Sequence, residues 1–366
     1  VLMHLLDMLC MVLDDPLFVD SEQSLSSSAI ECRETMRGMA TQVFIQVFDC
    51  YLHTILWEAV ANQEEEEDDE EEGITSRTHD ELLSAICTFG RIGISASLDY
   101  VISIMQSNMA KFEVLLVSPH DYSAEPGTLE QKSLCVQEIL RVSALFVTHL
   151  LVEDFRGDVL ALNGGDTPTI PQLLLEEAKF NPNDTYMKVW GGFWQIMNIV
   201  TMQARLLSSP DNAVRHHSLV SGYLLQYVLR FLREFFSRYV FPDPSLYHQS
   251  FANSILFKPV DSDFINTMEQ LFQASHVFIV QLPLEFEVIS ATSYMIASIS
   301  KVPHSGWKQS LIGLSGTAGL FRTITGTGTS PCSLNLEGLS LMYAALSTLT
   351  VACQHKLSFT QLCTHI

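Results

Sequence analysis

The chain has 366 residues, 47% hydrophobic and only 17% charged, with a positive mean hydropathy; it has ample material to bury, which excludes disorder for most of its length. That length exceeds what one compact core supports and leaves two domains or an elongated array. The formal net charge is −22, and setting nine clustered acids of the 42 aside leaves 33 against 20 bases, net −13; this composition offers no broad basic footprint for phosphate, so no nucleic-acid partner is predicted.

In chain order, residues 1–13 read as the end of a helix stopped by Asp14-Asp15-Pro16. They contain Asp7 and lack the basic start and small-residue cleavage site of a secretory signal. The chain begins at Val1 without a Met, which reads as a piece of something longer. A Ser-rich loop over 21–28 leads into a long helix predicted over 33–60, with Val43, Phe44, Val47, Tyr51 and Ile55 on an apolar stripe.

Nine consecutive carboxylates come next: Glu64, Glu65, Glu66, Glu67, Asp68, Asp69, Glu70, Glu71 and Glu72. Like charge this dense repels itself and cannot pack, so a solvated, disordered loop is predicted over about residues 62–78. Hung between two apolar helical stretches, it is a candidate binding element for a basic partner. The alternative is a solvating spacer with no partner.

Residues 80–93 and 97–117 predict a helical hairpin broken at Gly90 and Gly93, its second member striped by Leu98, Val101, Ile102, Met105 and Met109. A loop separates this from a helix over 129–154, whose Val136, Ile139, Leu140, Ser143, Phe146, Val147 and Leu150 repeat the spacing. Pro171 opens a short helix ending before Asn181-Pro182, and 185–207 with 213–240 form the clearest hairpin. Two more are predicted, 261–281 with 284–301 and 305–321 with 336–355. Nowhere does the sequence alternate apolar and polar residues as half-buried strands do. Recurring helix pairs predict an all-α fold, a HEAT/armadillo-type α-α superhelix running continuously over 1–366 and interrupted by the acidic loop. A large globular all-helical domain is the alternative.

No segment reads as a membrane span; the nearest, 338–354, carries Ser340, Ser347, Thr348 and Thr350. The eight cysteines show no C-x-x-C pair or Cys/His cluster, so no zinc site or disulfide framework is predicted, and they read as buried thiols of a reducing compartment. Catalytic motifs are missing from the sequence: Thr325-Gly326-Thr327-Gly328-Thr329 lacks the Lys and preceding strand of a phosphate loop, and His216-His217 diverge by about 100° on a helix, too far to share a metal. The reading is of a non-enzyme with no cofactor. Trp190 and Trp194, with Phe193 between, predict a packed inter-helix aromatic pair or, alternatively, an apolar slot for a partner. Arg230, Arg233 and Arg238 stand out as a basic helix end in an acidic chain, either pairing with nearby carboxylates and the helix dipole or contacting an acidic patch on a partner protein.

Three stretches carry a family resemblance. Asp80-Glu81-Leu82-Leu83-Ser84-Ala85-Ile86-Cys87-Thr88-Phe89-Gly90-Arg91-Ile92 stands directly after the acidic tract; Leu150-Leu151-Val152-Glu153-Asp154 precedes Gly165-Asp166-Thr167-Pro168-Thr169-Ile170-Pro171; Phe231-Leu232-Arg233-Glu234-Phe235-Phe236-Ser237-Arg238-Tyr239 comes shortly before Leu246-Tyr247. In that order they resemble the middle third of the exportin-4 family of nuclear transport receptors, in the importin-β superfamily; the exportin-7 family is a second match. The sequence departs from the family pattern at Gly326-Thr327-Gly328 and across 107–128. The resemblance implies a superhelical export receptor that shuttles between nucleus and cytoplasm, passes the pore on nucleoporins, and binds Ran-GTP together with a basic protein cargo such as translation factor 5A. It also implies that Ran is gripped mainly by repeats lying before Val1. A HEAT-repeat scaffold with constitutive partners is the other function class open to such a chain.

Overall fold

The computed structural model describes residues 26–61, 86–87, 89–117, 129–152, 170–171, 174–175, 177–178, 181–208, 219–240, 261–282, 284–300, 310–311, 313–324 and 343. Among these every regular element is helical and no strand occurs, so the described part of the chain is all-α. The principal helices are α1 (Ser27–Ala61), α2 (Ile94–Val117), α3 (Leu129–Leu151), α4 (Pro182–Ser208), α5 (Gly222–Phe235), α6 (Asp261–Gln281), α7 (Phe286–Ser300) and α8 (Ser315–Ile324). The chain divides into two units; α4 gives its residues through Gly192 to the first and the rest, from Phe193, to the second.

In the first unit, α2 and α3 pack on each other and α1 lies against both. The predicted α2 stripe is buried throughout: Leu98, Val101, Ile102, Met105 and Met109 all face the core. On α1 the buried row differs from the one expected. Phe44, Phe48 and Leu52 are buried, whereas Val43 is 39% exposed and Val47 and Tyr51 are only partly covered. The reason is that α1 is apolar on several sides, so its own pattern does not single out a face; the aromatic rings decide. Phe48 meets Phe146 of α3 edge-on at 4.4 Å and Tyr100 of α2 at 6.1 Å, and Phe44 lies 5.8 Å from Phe146. Tyr100 also donates to both carboxylate oxygens of Asp49 on α1, at 2.8 and 2.9 Å.

Only one of the two predicted glycine breaks occurs. The chain turns at Gly93, but Gly90 is helical; it is needed for close approach, because a Cβ there would stand 2.7 Å from Leu150 and 2.9 Å from Phe44. Its neighbour Arg91 is buried and donates through Nε to the carbonyl of His149 at 3.0 Å, with Nη2 on the same oxygen. That places a guanidinium at the C-terminal end of α3, where the helix leaves carbonyls unpaired and the dipole is negative. Helix α3 is buried along nearly all of 142–152. Contrary to expectation, its stretch Gln131–Leu151 is long and apolar enough to cross a membrane by length and composition, but 72% of the window is buried within the protein, so its apolar residues face neighbouring helices.

In the second unit, α5 packs on α7, α6 on α8, and α6 on α7. Helix α5 starts at Gly222, with Leu219, Val220 and Ser221 non-helical ahead of it, nine residues later than predicted. Ser221 is the reason: its hydroxyl accepts from the Leu224 amide at 3.2 Å and caps the helix, and Gln203 of α4 accepts from the Ser221 amide at 3.2 Å. The helix over 261–281 matches the expected bounds. The one expected over 305–321 is interrupted at Gly313-Leu314, so α8 begins at Ser315. The fourth hairpin member, 336–355, lies outside the described residues apart from Tyr343, which is helical. Helix α8 comes very close to α6 through Gly316, where a Cβ would sit 2.5 Å from the Gln273 amide nitrogen and 2.7 Å from the Phe272 carbonyl carbon. Any side chain at 316 would hold the two backbones apart.

Candidate functional site

The carboxylate run from Glu64 to Glu72 lies outside the described residues, as do His216, His217 and the loop over 325–329. The basic helix end is described in full. Helix α5 buries Leu224, Leu225, Val228, Leu229, Phe231, Leu232 and Phe235, a one-sided stripe at helical spacing that leaves Arg230 and Arg233 at its margins. After Phe235 the helix widens into a π turn, Phe236–Val240. The extra residue per turn changes the direction in which its side chains point, and Phe236, Arg238 and Tyr239 all become buried. The Arg233 carbonyl in this region receives the hydroxyls of Ser237 at 3.1 Å and of Ser298 from α7 at 3.2 Å, so the widened turn is stitched to its neighbour.

All three arginines are engaged within the protein. Arg230 reaches Glu287 at the start of α7, 3.2 Å away. Arg233 donates to Glu234 through Nη2 at 2.6 Å and Nε at 2.9 Å, and Arg238, 3% exposed, pairs with the other oxygen of Glu234 at 3.2 Å. Glu234 thus serves two guanidinium groups, the arrangement in which a half-buried ion pair is best compensated. The three arginines therefore lie along one seam, tied to two carboxylates. Contact with an acidic partner from this seam would require those carboxylates to be exchanged.

Each tryptophan of the expected pair meets another aromatic ring of α4, Trp190 that of Tyr186 and Trp194 that of Phe193. Trp190 is buried against Tyr186, with ring centroids 5.8 Å apart, and Trp194 is 40% exposed. The inter-helix stack belongs to Phe193, which lies 4.9 Å from Phe235 and 6.1 Å from Phe236. Phe235 continues it to Phe231 at 5.4 Å and Tyr239 at 4.7 Å. The π turn is what brings Phe236 and Tyr239 to the stack; nothing in the local sequence signals such a turn.

The first unit holds a cleft of about 450 Å³, lined among others by Glu34, Arg37, Thr41, Ser95, Glu177 and Asn181. Arg37 pairs there with Glu34 at 3.0 Å and with Glu177 at 3.9 Å, so its charge is compensated from inside the protein. Two buried groups of the first unit are shifted in opposite senses. Burial, and secondarily the charge of Arg91, lower His149 from 6.5 to about 4; burial pushes the Cys87 thiol up to about 12. The expectation that the cysteines are buried holds for Cys87 but not for Cys32 and Cys50, which are exposed on α1, and Cys135 is intermediate. Cys32 and Cys50 lie off the buried row of Phe44, Phe48 and Leu52, so their thiols meet solvent.

Compared with protein-family models and with curated proteins, the sequence matches none.

Proposed function

We propose that the chain is a segment of a nuclear export receptor of the importin-β type, a helical-repeat array that binds Ran-GTP and a basic protein cargo and performs no chemistry of its own. The observation that carries the reading furthest is the packing order in the second unit. Among the principal helices of the described residues, α5 packs on α7 and α6 on α8, an alternation expected when helix pairs stack into two layers and each repeat covers the face left open by the one before. The first unit has the same relation between α1 and α3. The likeness of residues 80–92, 150–171 and 231–239 to exportin-4 adds the functional class. Within the first stretch, the Gly90 close approach and the Arg91 cap on α3 give structural reasons for two of its residues.

In this reading the partner-facing charge is the run from Glu64 to Glu72, nine carboxylates held between two helical stretches. A solvated acidic loop acts on the encounter with a basic protein by long-range attraction and contributes little to the fold. Replacing the run by Gly and Ser is expected to slow association with a basic cargo several-fold and to flatten its salt dependence, since the screening length shrinks from about 10 Å at 0.1 M salt to about 3 Å at 1 M. The melting temperature stays unchanged or rises slightly. Stopped-flow association over a salt series measures this, and equal rates and slopes for the two proteins would reduce the loop to a spacer. Capture by GTP-locked Ran separates a transport receptor from a constitutive scaffold. The longer protein with its preceding repeats is expected to bind in a nucleotide-dependent way, and this chain alone weakly or not at all.

A further inference from the structure

At one end of the α5/α7 pair the second unit exposes three large apolar side chains: Tyr223 is 72% exposed, Leu284 81% and Phe286 56%. They are neighbours of a single contact. A Cβ added to Gly222 would lie 3.0 Å from a carboxylate oxygen of Glu285 and 3.9 Å from Val288, so the first turn of α5 rests on the turn that opens α7. Tyr223 adjoins one side of that contact in sequence, and Leu284 and Phe286 flank the other. Backbone bonds tie the described residues here: the Glu285 amide donates to the Leu282 carbonyl at 3.2 Å, the Phe286 amide to Leu284 at 3.1 Å, and the Ile289 amide to Glu285 at 3.1 Å. Single exposed apolar residues are ordinary on a protein surface, but three on the two chain segments that meet at one contact are the pattern of a contact face.

The charge around the patch says what covers it. Glu285 is exposed and has no ion pair among the described residues; Glu287, one position beyond Phe286, has a 60% exposed side chain and shares its charge with Arg230. We propose that Tyr223, Leu284 and Phe286, with the Glu285 carboxylate among them, form a docking surface for a protein segment that presents an apolar anchor flanked by Lys or Arg. The anchor fills the space beside Tyr223 and Leu284, while the cation meets Glu285 and the ring faces of Tyr223 and Phe286, which attract cations. A second copy of this chain is a poor occupant. Each copy carries −22, and a two-fold contact on this patch brings Glu285 against Glu285. The proposal does not rest on the transport reading.

The test uses the full chain and three synthetic peptides of equal length: one with Leu and Phe along one helical face and Lys elsewhere, its counterpart with Glu for Lys, and oligolysine. Binding is read by fluorescence anisotropy at physiological salt. The Lys-Leu-Phe peptide is expected to bind, the Glu peptide not. The triple variant Tyr223→Ser, Leu284→Ser, Phe286→Ser should weaken the Lys-Leu-Phe peptide about tenfold or more, as loss of a central aromatic cluster does, and Glu285→Lys should weaken it several-fold. Oligolysine, which reads charge alone, should bind the triple variant as it binds the wild type. The proposal is overturned if the triple variant holds the Lys-Leu-Phe peptide as tightly as the wild type. It is equally overturned if the triple variant melts several degrees lower, because the patch is then covered by the chain itself, or if the wild type forms a concentration-dependent dimer that the triple variant loses.

Discussion

Helices α1 and α5 teach opposite lessons about how a face is chosen. Helix α5 has one apolar stripe, and the residues on it are the residues buried, from Leu224 to Phe235. Helix α1 is 35 residues long with apolar residues on several sides, and among its described side chains it buries the row Phe44, Phe48 and Leu52, while Met39 and Val43 remain exposed. The difference is that α5 can lower its free energy in one orientation only, whereas α1 has several orientations of similar apolar content. Its orientation is selected by how well Phe44 and Phe48 fit around Phe146.

The sharpest way to break that account is at Phe48. Phe48→Ala removes a fully buried ring in contact with both α2 and α3 and is expected to cost about 3–5 kcal/mol. Val43→Ser, five residues earlier on the stripe the sequence favoured, should stay within about 0.5 kcal/mol. Chemical denaturation of the two variants decides, and similar costs would mean that α1 buries a different face.

A second test uses acid. His149, in the first unit, is held well below its ordinary value by burial and by Arg91, at about 4. A depressed histidine binds fewer protons folded than unfolded, so its stabilising contribution is complete above about pH 6.5 and is lost as pH falls toward 4. The loss amounts to roughly 3 kcal/mol. In the second unit His276 shifts in the same direction but is only part-buried, beside Arg322 and bonded to Thr323 at 3.0 Å. Denaturation midpoints at pH 7 and pH 5 should therefore fall most for the first unit, and His149→Leu should flatten that dependence where His276→Leu flattens it little.

Glycines test the contrast between a crowded face and an open one. Gly316→Ala pushes α8 off the backbone of α6 and is expected to cost about 1–3 kcal/mol. Gly38→Ala on the exposed side of α1, where nothing lies within 4 Å of the added carbon, should stabilise by about 0.5–1 kcal/mol, because helical glycine loses more chain entropy than alanine. Thermal melts of both variants check the two signs.

The smallest effect concerns the start of α5. Ser221→Ala removes the side chain that receives the Leu224 amide and should cost about 1 kcal/mol. A larger loss would show that the Gln203 contact from α4 depends on the cap.

What the sequence determined by itself was local and periodic. The helical class of the described residues, the α2 stripe and the bounds of α6 come from spacing at 3.6 residues per turn, which any chain with those residues must satisfy. The basic helix end was visible as three arginines, since charge is legible without coordinates. The tertiary structure decided everything that needed a partner: which row of α1 is buried, that Gly90 serves contact and not a break, that Arg91 closes the end of α3, and that Phe193 carries the aromatic stack. It also decided that Arg230, Arg233 and Arg238 are held by Glu287 and Glu234, because a π turn swings Arg238 inward. Spacing along the chain specifies which side chains share a face, but the choice among faces is made by the shape and charge of what lies opposite, and that information sits in residues tens of positions away.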